Sequence, residues 1–142
     1  MPNHQLICVD CSSKQDPSVA DLYCSECGGL FAVEYLAAPD GTMPRLPMDE
    51  PLNSNSLGEG DTPLLFLDKT CEQLGLGSLW AKLEFMAPTG SFKDRGSAVL
   101  TTMGRDFGVT EFIEDSSGNA GASLSAYAAA AGLKAHVFAP AS

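Results

Sequence analysis

Four cysteines near the start of the chain limit what this sequence can become more than any other feature. Cys8 and Cys11 form one CxxC, Cys24 and Cys27 a second, and twelve residues separate the two. Each CxxC is a tight knuckle that presents two sulfurs to one ion, and this spacing is that of a tetrathiolate zinc site. Gly28 and Gly29 allow a sharp turn after the second knuckle. The strand-like flanks LIC, DLYC and LFAVEYL complete a zinc ribbon over residues 1–36. A module of this size buries little surface, so the metal would carry its folding. A disulfide pair and a chance pattern are the competing explanations. The start, MPNHQLICVD, has no basic region followed by an apolar core, and no segment approaches the length of a membrane span. The expected compartment is therefore the cytoplasm, where thiols stay reduced. Cys71 lacks a partner and reads as a small buried apolar residue.

Zinc ribbons often bind nucleic acid, and here charge argues against it. Eighteen acidic side chains against eight basic ones give a net charge of -10, which repels a phosphate backbone and an anionic membrane surface. Across residues 1–50 only Lys14 and Arg45 are basic, so no positive footprint exists. The ribbon is expected to be structural or to contact a partner. The apolar fraction of 44% is enough for a core in the remainder.

Residues 37–56 contain Pro39, Pro44, Pro47 and Pro51 without an apolar period and read as an extended linker. From 57 to 142 the pattern becomes that of an α/β fold. LWAKLEF at 79–85 alternates as a strand, and Val99, Leu100, Met103 and Phe107 keep helical spacing. TEFIED at 110–115 is a short strand, SLSAYAAAAG at 123–132 a helix and AHVFAP at 135–140 a strand. The order β-α-β-α-β implies about three parallel strands with right-handed crossovers.

Both strand-to-helix junctions carry candidate chemistry. In GSFKDRG at 90–96, Ser91 is placed as an N-cap with Asp94 three residues on, a capping box that starts the helix at Phe92 and puts Lys93 in its first turn. A helix N-terminus disfavours an ammonium, and Phe92 adds local desolvation, so the amine should lose its proton more easily. A neutral amine is what a Schiff base with an aldehyde cofactor requires. On position alone, an ordinary solvated lysine is the commoner occupant. The second junction, SSGNAGAS at 116–123, is a loop of small residues that leaves N–H groups open at a helix N-terminus. Asn119 is the only amide side chain there, and a plain turn with Asn119 in a left-handed conformation explains the loop equally well.

Together these segments resemble a known family. The paired CxxC motifs, LGEGDTPLL at 57–65, KLEFMAPTGSFKDRG at 82–96 and EDSSGNAGASLSAYAAAAG at 114–132 are similar to those of the threonine synthases. Those are pyridoxal-phosphate enzymes of the tryptophan-synthase β-like fold (PLP fold type II). The resemblance implies a zinc ribbon followed by the first part of a parallel βαβ catalytic domain. It implies that Lys93 holds the cofactor as a Schiff base, that Asn119 bonds the ring's phenolic oxygen, and that Ser116, Ser117 and Gly118 receive the substrate α-carboxylate. The implied reaction converts O-phospho-L-homoserine and water to L-threonine and phosphate. Two departures bear on the substrate: Ala87 stands where relatives often have Asn, and Ala120 where many have Thr. Cysteate synthase and threonine dehydratase activities therefore stay open, as does a zinc-ribbon binding module attached to an inactive α/β segment. Asp94 and Arg95 read only as a cap and an ion pair, while His4 and His136 suggest ordinary surface or core roles. The resemblance further implies a small amino-acid substrate, leaves room for a homo-oligomer of a longer protein, and makes this chain its truncated N-terminal portion. The chain by itself is expected not to turn over substrate, because no second glycine-rich loop offers a nest for the cofactor phosphate.

Overall fold

In a computed structural model of the chain, residues 3–18, 22–38, 40–42, 46, 48, 55–116 and 118–141 are described. Residue contacts divide it into two units, Met1–Pro51 with Asp106–Gly108, and Leu52–Arg105 with Val109–Ser142. Most of the proline-rich stretch at 37–56 lies outside the described residues.

The first unit is a three-stranded antiparallel sheet. Strand β1 (His4–Cys8) lies between β2 (Lys14–Gln15) and β3 (Phe31–Tyr35). The register places His4 opposite Tyr35 and Cys8 opposite Phe31. The flank around Tyr23 forms no strand; Tyr23 makes a single bridge to Leu30. Of this unit's apolar side chains, only Cys8 and Cys24 are buried among the described residues. Buried His4 lies against Asn3, its Nδ1 3.0 Å from Asn3 Oδ1.

The second unit begins with β4 (Leu64–Phe66), α1 (Asp68–Leu74) and β5 (Trp80–Lys82). A single 3-10 turn over Glu84–Met86 follows, and then α2 (Lys93–Asp106), β6 (Glu111–Asp115), α3 (Asn119–Ala130) and β7 (Lys134–Phe138). The α/β class holds, with one correction to the topology. Strand β5 pairs antiparallel with β4, Leu65 facing Ala81, so the expected first parallel strand belongs to a separate hairpin-like pair. The parallel sheet consists of β6 and β7, with Phe112 opposite Ala135 and α3 as the crossover. Strand alternation at 79–85 gives a period but not a partner, and the chain leaves extended geometry at Glu84 to make the 3-10 turn.

The buried face of α2 also differs from its apolar stripe. Leu100 is exposed, whereas Asp94, Ser97, Ala98, Thr101 and Thr102 are buried. The small and polar residues face inward, and the Ser123 hydroxyl reaches Asp94 and Ser97 from α3, where Ser123, Leu124, Tyr127 and Ala128 are buried in turn. The Thr101 and Thr102 hydroxyls donate back to the Ser97 and Ala98 carbonyls, which satisfies them inside the core. Tyr127 is fully buried, and its hydroxyl donates to Glu59 at 2.9 Å. Glu59 also accepts from the Leu57 N–H and the Ser56 hydroxyl, so this buried carboxylate ties the LGEGDTP segment to α3. Cys71 is buried in α1, as expected, and exposed His136 pairs with Glu111 across the parallel strands at 3.0 Å. Among the described residues no helix is long and apolar enough to cross a membrane.

Candidate functional site

The first junction is built by a tight turn. The Gly90 N–H donates to the Ala87 carbonyl at 2.8 Å, and Gly90 takes φ +83, a value that favours glycine. The chain then enters α2 at Lys93, with the Ser91 hydroxyl accepting from the Lys93 N–H at 3.3 Å. Ser91 is thus a cap, but the capping box is not completed. Asp94 turns away from Ser91 and accepts from the N–H and the hydroxyl of Thr89 and from the Ser123 hydroxyl. Lys93 is exposed, and its Nζ lies 5.0 Å from the centroid of the Phe92 ring.

Arg95 fixes the same turn from the other side. Its Nε and Nη2 donate to the two oxygens of Glu84 at 2.8 Å each, and Nη2 also donates to Thr62 Oγ1 at 3.0 Å. This bidentate pair bears out the expected ion pair at Arg95. The Arg95 hydrogen bonds, aided by the Thr62 hydroxyl, hold the Glu84 carboxyl down at about 2. Lys82 Nζ donates to the Thr62 carbonyl, so the GDTP segment, β5 and the start of α2 are tied together.

At the second junction the Ser116 hydroxyl oxygen accepts from the Gly118 N–H at 3.3 Å and the Gly121 N–H at 3.0 Å. Ser116 therefore caps α3 itself, and the Gly118 N–H is engaged by it. Asn119 opens the helix and is exposed. Ser117 lies outside the described residues. A cavity of about 290 Å³ opens between α2, β6 and α3. Lys93, Gly96, Ser97 and Leu100, which recur at helical spacing, form one wall; Glu114, Ala120 and Leu124 complete it. The structure thus brings Lys93 and Ala120 of the SSGNAG loop to one cavity, while Asn119, Ser116 and Gly118 are not on its wall.

The family model described as "Pyridoxal-phosphate dependent enzyme" matches residues 55–142, the segment that holds both junctions. The chain belongs to that family. It is 32% identical over 155 aligned positions to the threonine synthase of Methanosarcina acetivorans, covering 97% of this chain and 37% of that relative. The threonine synthase of Methanocaldococcus jannaschii is 34% identical, covering 94% of this chain and 37% of the relative. That of Bacillus sp. (strain ULM1) is 42% identical over 95 residues, 67% of this chain and 27% of the relative. The chain spans 37% of the length of the first two.

The second unit offers a family cofactor an exposed amine at Lys93, an amide one residue before Ala120, and a loop of small residues that leaves room beside both. These groups fit its aldehyde and one ring substituent. Among the described residues no second glycine-rich loop lines the cavity. Asp94, Glu59 and Glu84 carry no buttress signal in the sequence, because burial and partner choice are set by tertiary packing. Their place inside the two recurring motifs was the one available hint.

In the first unit, the sulfurs of Cys8, Cys11, Cys24 and Cys27 all lie within 4.8 Å of one another. Cys8 and Cys27 are 3.5 Å apart, Cys11 and Cys24 3.6 Å. A tetrahedron with metal–sulfur bonds of about 2.3 Å has edges of about 3.8 Å, so the four sulfurs can hold a metal ion. Gly29 is part of that cradle, because a Cβ there would lie 3.0 Å from Cys8 Sγ and 2.2 Å from Asp10 Oδ2. Ser13 Oγ lies 3.0 Å from Cys24 Sγ, and this hydroxyl is the main reason the Cys24 thiol is held down at about 6. Cys27 moves to about 12: the Gly29 N–H favours its thiolate, but the sulfurs of Cys11 and Cys8 and desolvation outweigh that. Four converging thiols cannot all ionise together without a cation among them.

Proposed function

We propose that this chain forms part of a threonine-synthase-like lyase that converts O-phospho-L-homoserine and water to L-threonine and phosphate. The observation that carries this reading is the convergence of Lys93 and Ala120 of the SSGNAG loop on one cavity, in a chain similar to three threonine synthases. When bound, pyridoxal phosphate supplies an aldehyde for a lysine amine and a ring that accepts electrons from a substrate carbanion. Lys93 would hold the cofactor, and its Nζ would move a proton between substrate carbons. Asn119 would meet the ring oxygen. The α-carboxylate is received by the N–H groups of the first α3 turn, where the helix dipole favours an anion. Ser116 acts there by accepting from the Gly118 and Gly121 N–H groups, which orients the backbone of that turn.

The four cysteines hold a structural zinc ion, which stays outside the reaction because four thiolates leave no open coordination position. The acidic chain works in the cytoplasm on a small amino acid, without nucleic acid or membrane.

Borohydride reduction in the presence of pyridoxal phosphate, followed by peptide mapping, tests the reading. A pyridoxyl group on the Lys93 peptide is expected. Label spread over surface lysines, with none preferred, would leave the chain as a metal-binding module without this chemistry. Phosphate release from O-phosphohomoserine by the whole protein then tests the substrate. Release of ammonia from threonine in its place would overturn the threonine synthase assignment in favour of a dehydratase.

A further inference from the structure

Asp94 carries a role that the proposed reaction does not use. It is 0% exposed, yet among the described residues it makes no ion pair: the neighbouring guanidinium of Arg95 is committed to Glu84. Its carboxylate is balanced by neutral donors and by the start of α2. One oxygen accepts from the Thr89 N–H at 2.7 Å; the other accepts from the Thr89 hydroxyl and, at 2.7 Å, from the Ser123 hydroxyl. Ser123 shares a further hydrogen bond with Ser97 at 2.8 Å and is itself fully buried.

Burying a carboxylate in this way is costly, and an apolar residue would pack against α3 at less expense. What an apolar residue cannot do is bind a turn and a second helix at once. Asp94 follows Lys93 directly in the chain, and Ser123 lies one helical turn after Asn119, so the two stand on one face of α3. The Asp94–Ser123 contact is thus a short, directional link between the residue that presents the amine and the helix turn that presents the amide.

We propose that Asp94 is a positioning residue which, through Ser123, sets the register of the first turn of α3 against Lys93. The Lys93 amine and the Asn119 amide then meet one ligand at a fixed separation. This rests on the reading of those two residues as cofactor contacts.

The variant that isolates the link is Ser123→Ala. It removes one hydroxyl, favours the helix and leaves Asp94 bonded to Thr89. Tyr127→Phe is the control: it also deletes one buried hydroxyl of α3 bonded to a carboxylate, but that carboxylate is Glu59 and not Asp94. In the purified protein, Ser123→Ala is expected to bind pyridoxal phosphate roughly tenfold more weakly, as for loss of one hydrogen bond to a charged group. The visible band of the bound cofactor should move toward that of Asn119→Ala. Tyr127→Phe should lose similar thermal stability and change neither property. Unchanged affinity and band in folded Ser123→Ala, or equal changes in Tyr127→Phe, overturns the proposal.

Amide exchange separates failure of the link from failure of the cofactor reading. The Thr89 N–H should be protected and should exchange at least about tenfold faster in Asp94→Ala, which removes its acceptor. If neither the parent protein nor Lys93→Ala takes up cofactor, the functional reading falls and exchange alone decides the link. Thr89 protection that persists in Asp94→Ala refutes it.

Discussion

Lys93 differs from Lys82 and Lys134 of the second unit in what surrounds it. Lys82 donates to the Thr62 carbonyl, and Lys134 opens β7 opposite Glu111. Lys93 opens α2 beside the Phe92 ring and on the cavity wall, with no hydrogen-bond partner for its Nζ among the described residues. Replacing it by Ala should reduce borohydride-fixed pyridoxyl label to background, while Lys82→Ala should keep the label. Equal labelling of the two variants would remove Lys93 as the anchor. Lys93 was legible because its motif has a sequence-local cause, a turn followed by a helix start. Asp94, its neighbour, was read as a capping carboxylate because Ser-x-x-Asp satisfies the local rule. Only the arrival of Ser123 from 29 residues away and the demand of the Thr89 N–H turn it inward.

At the scale of elements, the start of α2 is held by the Arg95–Glu84 pair and the helix body by its contact with α3. Glu84 titrates at about 2 in the folded chain, against 4.5 ordinarily, with the Arg95 hydrogen bonds as the first cause. A depressed carboxyl stabilises the fold above the unfolded value and loses that contribution as pH falls through the folded one. Glu84→Gln should therefore be less stable than the parent by a constant amount above about pH 5. The gap should close as pH falls from about 4.5 toward 2. Urea titrations of both proteins across that range check it, and a gap that widens on acidification contradicts it. Farther along, Tyr127→Phe should cost about 1–2 kcal/mol, because Glu59 keeps two other donors. Periodicity located β6, α3 and β7 to within a few residues, since each is a regular stretch between turn residues. It misassigned the partner of β5, because alternation is the same for parallel and antiparallel strands. It also misjudged the inward face of α2, where buried Ser97, Thr101 and Thr102 find hydrogen-bond partners and Leu100 stays exposed.

For the molecule as a whole, the two units rest on different physics, and the sequence announced the difference. The second unit has a core of its own in Ala98, Leu124, Tyr127 and Ala128, interleaved with satisfied hydroxyls. The first has short strands and, among the described residues, only Cys8 and Cys24 as buried apolar side chains. So little burial cannot offset the chain entropy of ordering about 30 residues, at roughly 1–2 kcal/mol each for the backbone alone. On the proposed reading of the cysteines, a bound metal would supply the difference. One zinc ion per chain is expected, with Cys24→Ser falling close to none. A strong chelator at neutral pH should expose all four thiols to a thiol reagent. It should also abolish amide protection at Val9, Cys24 and Leu36, whose N–H groups bond Leu30, Gly29 and Asn3. Acid should have the same effect, because protons compete with the metal for the thiolates. Protection at those three amides that survives chelation, with the metal verified as gone, would mean that the sheet holds itself together and the cysteines serve another purpose.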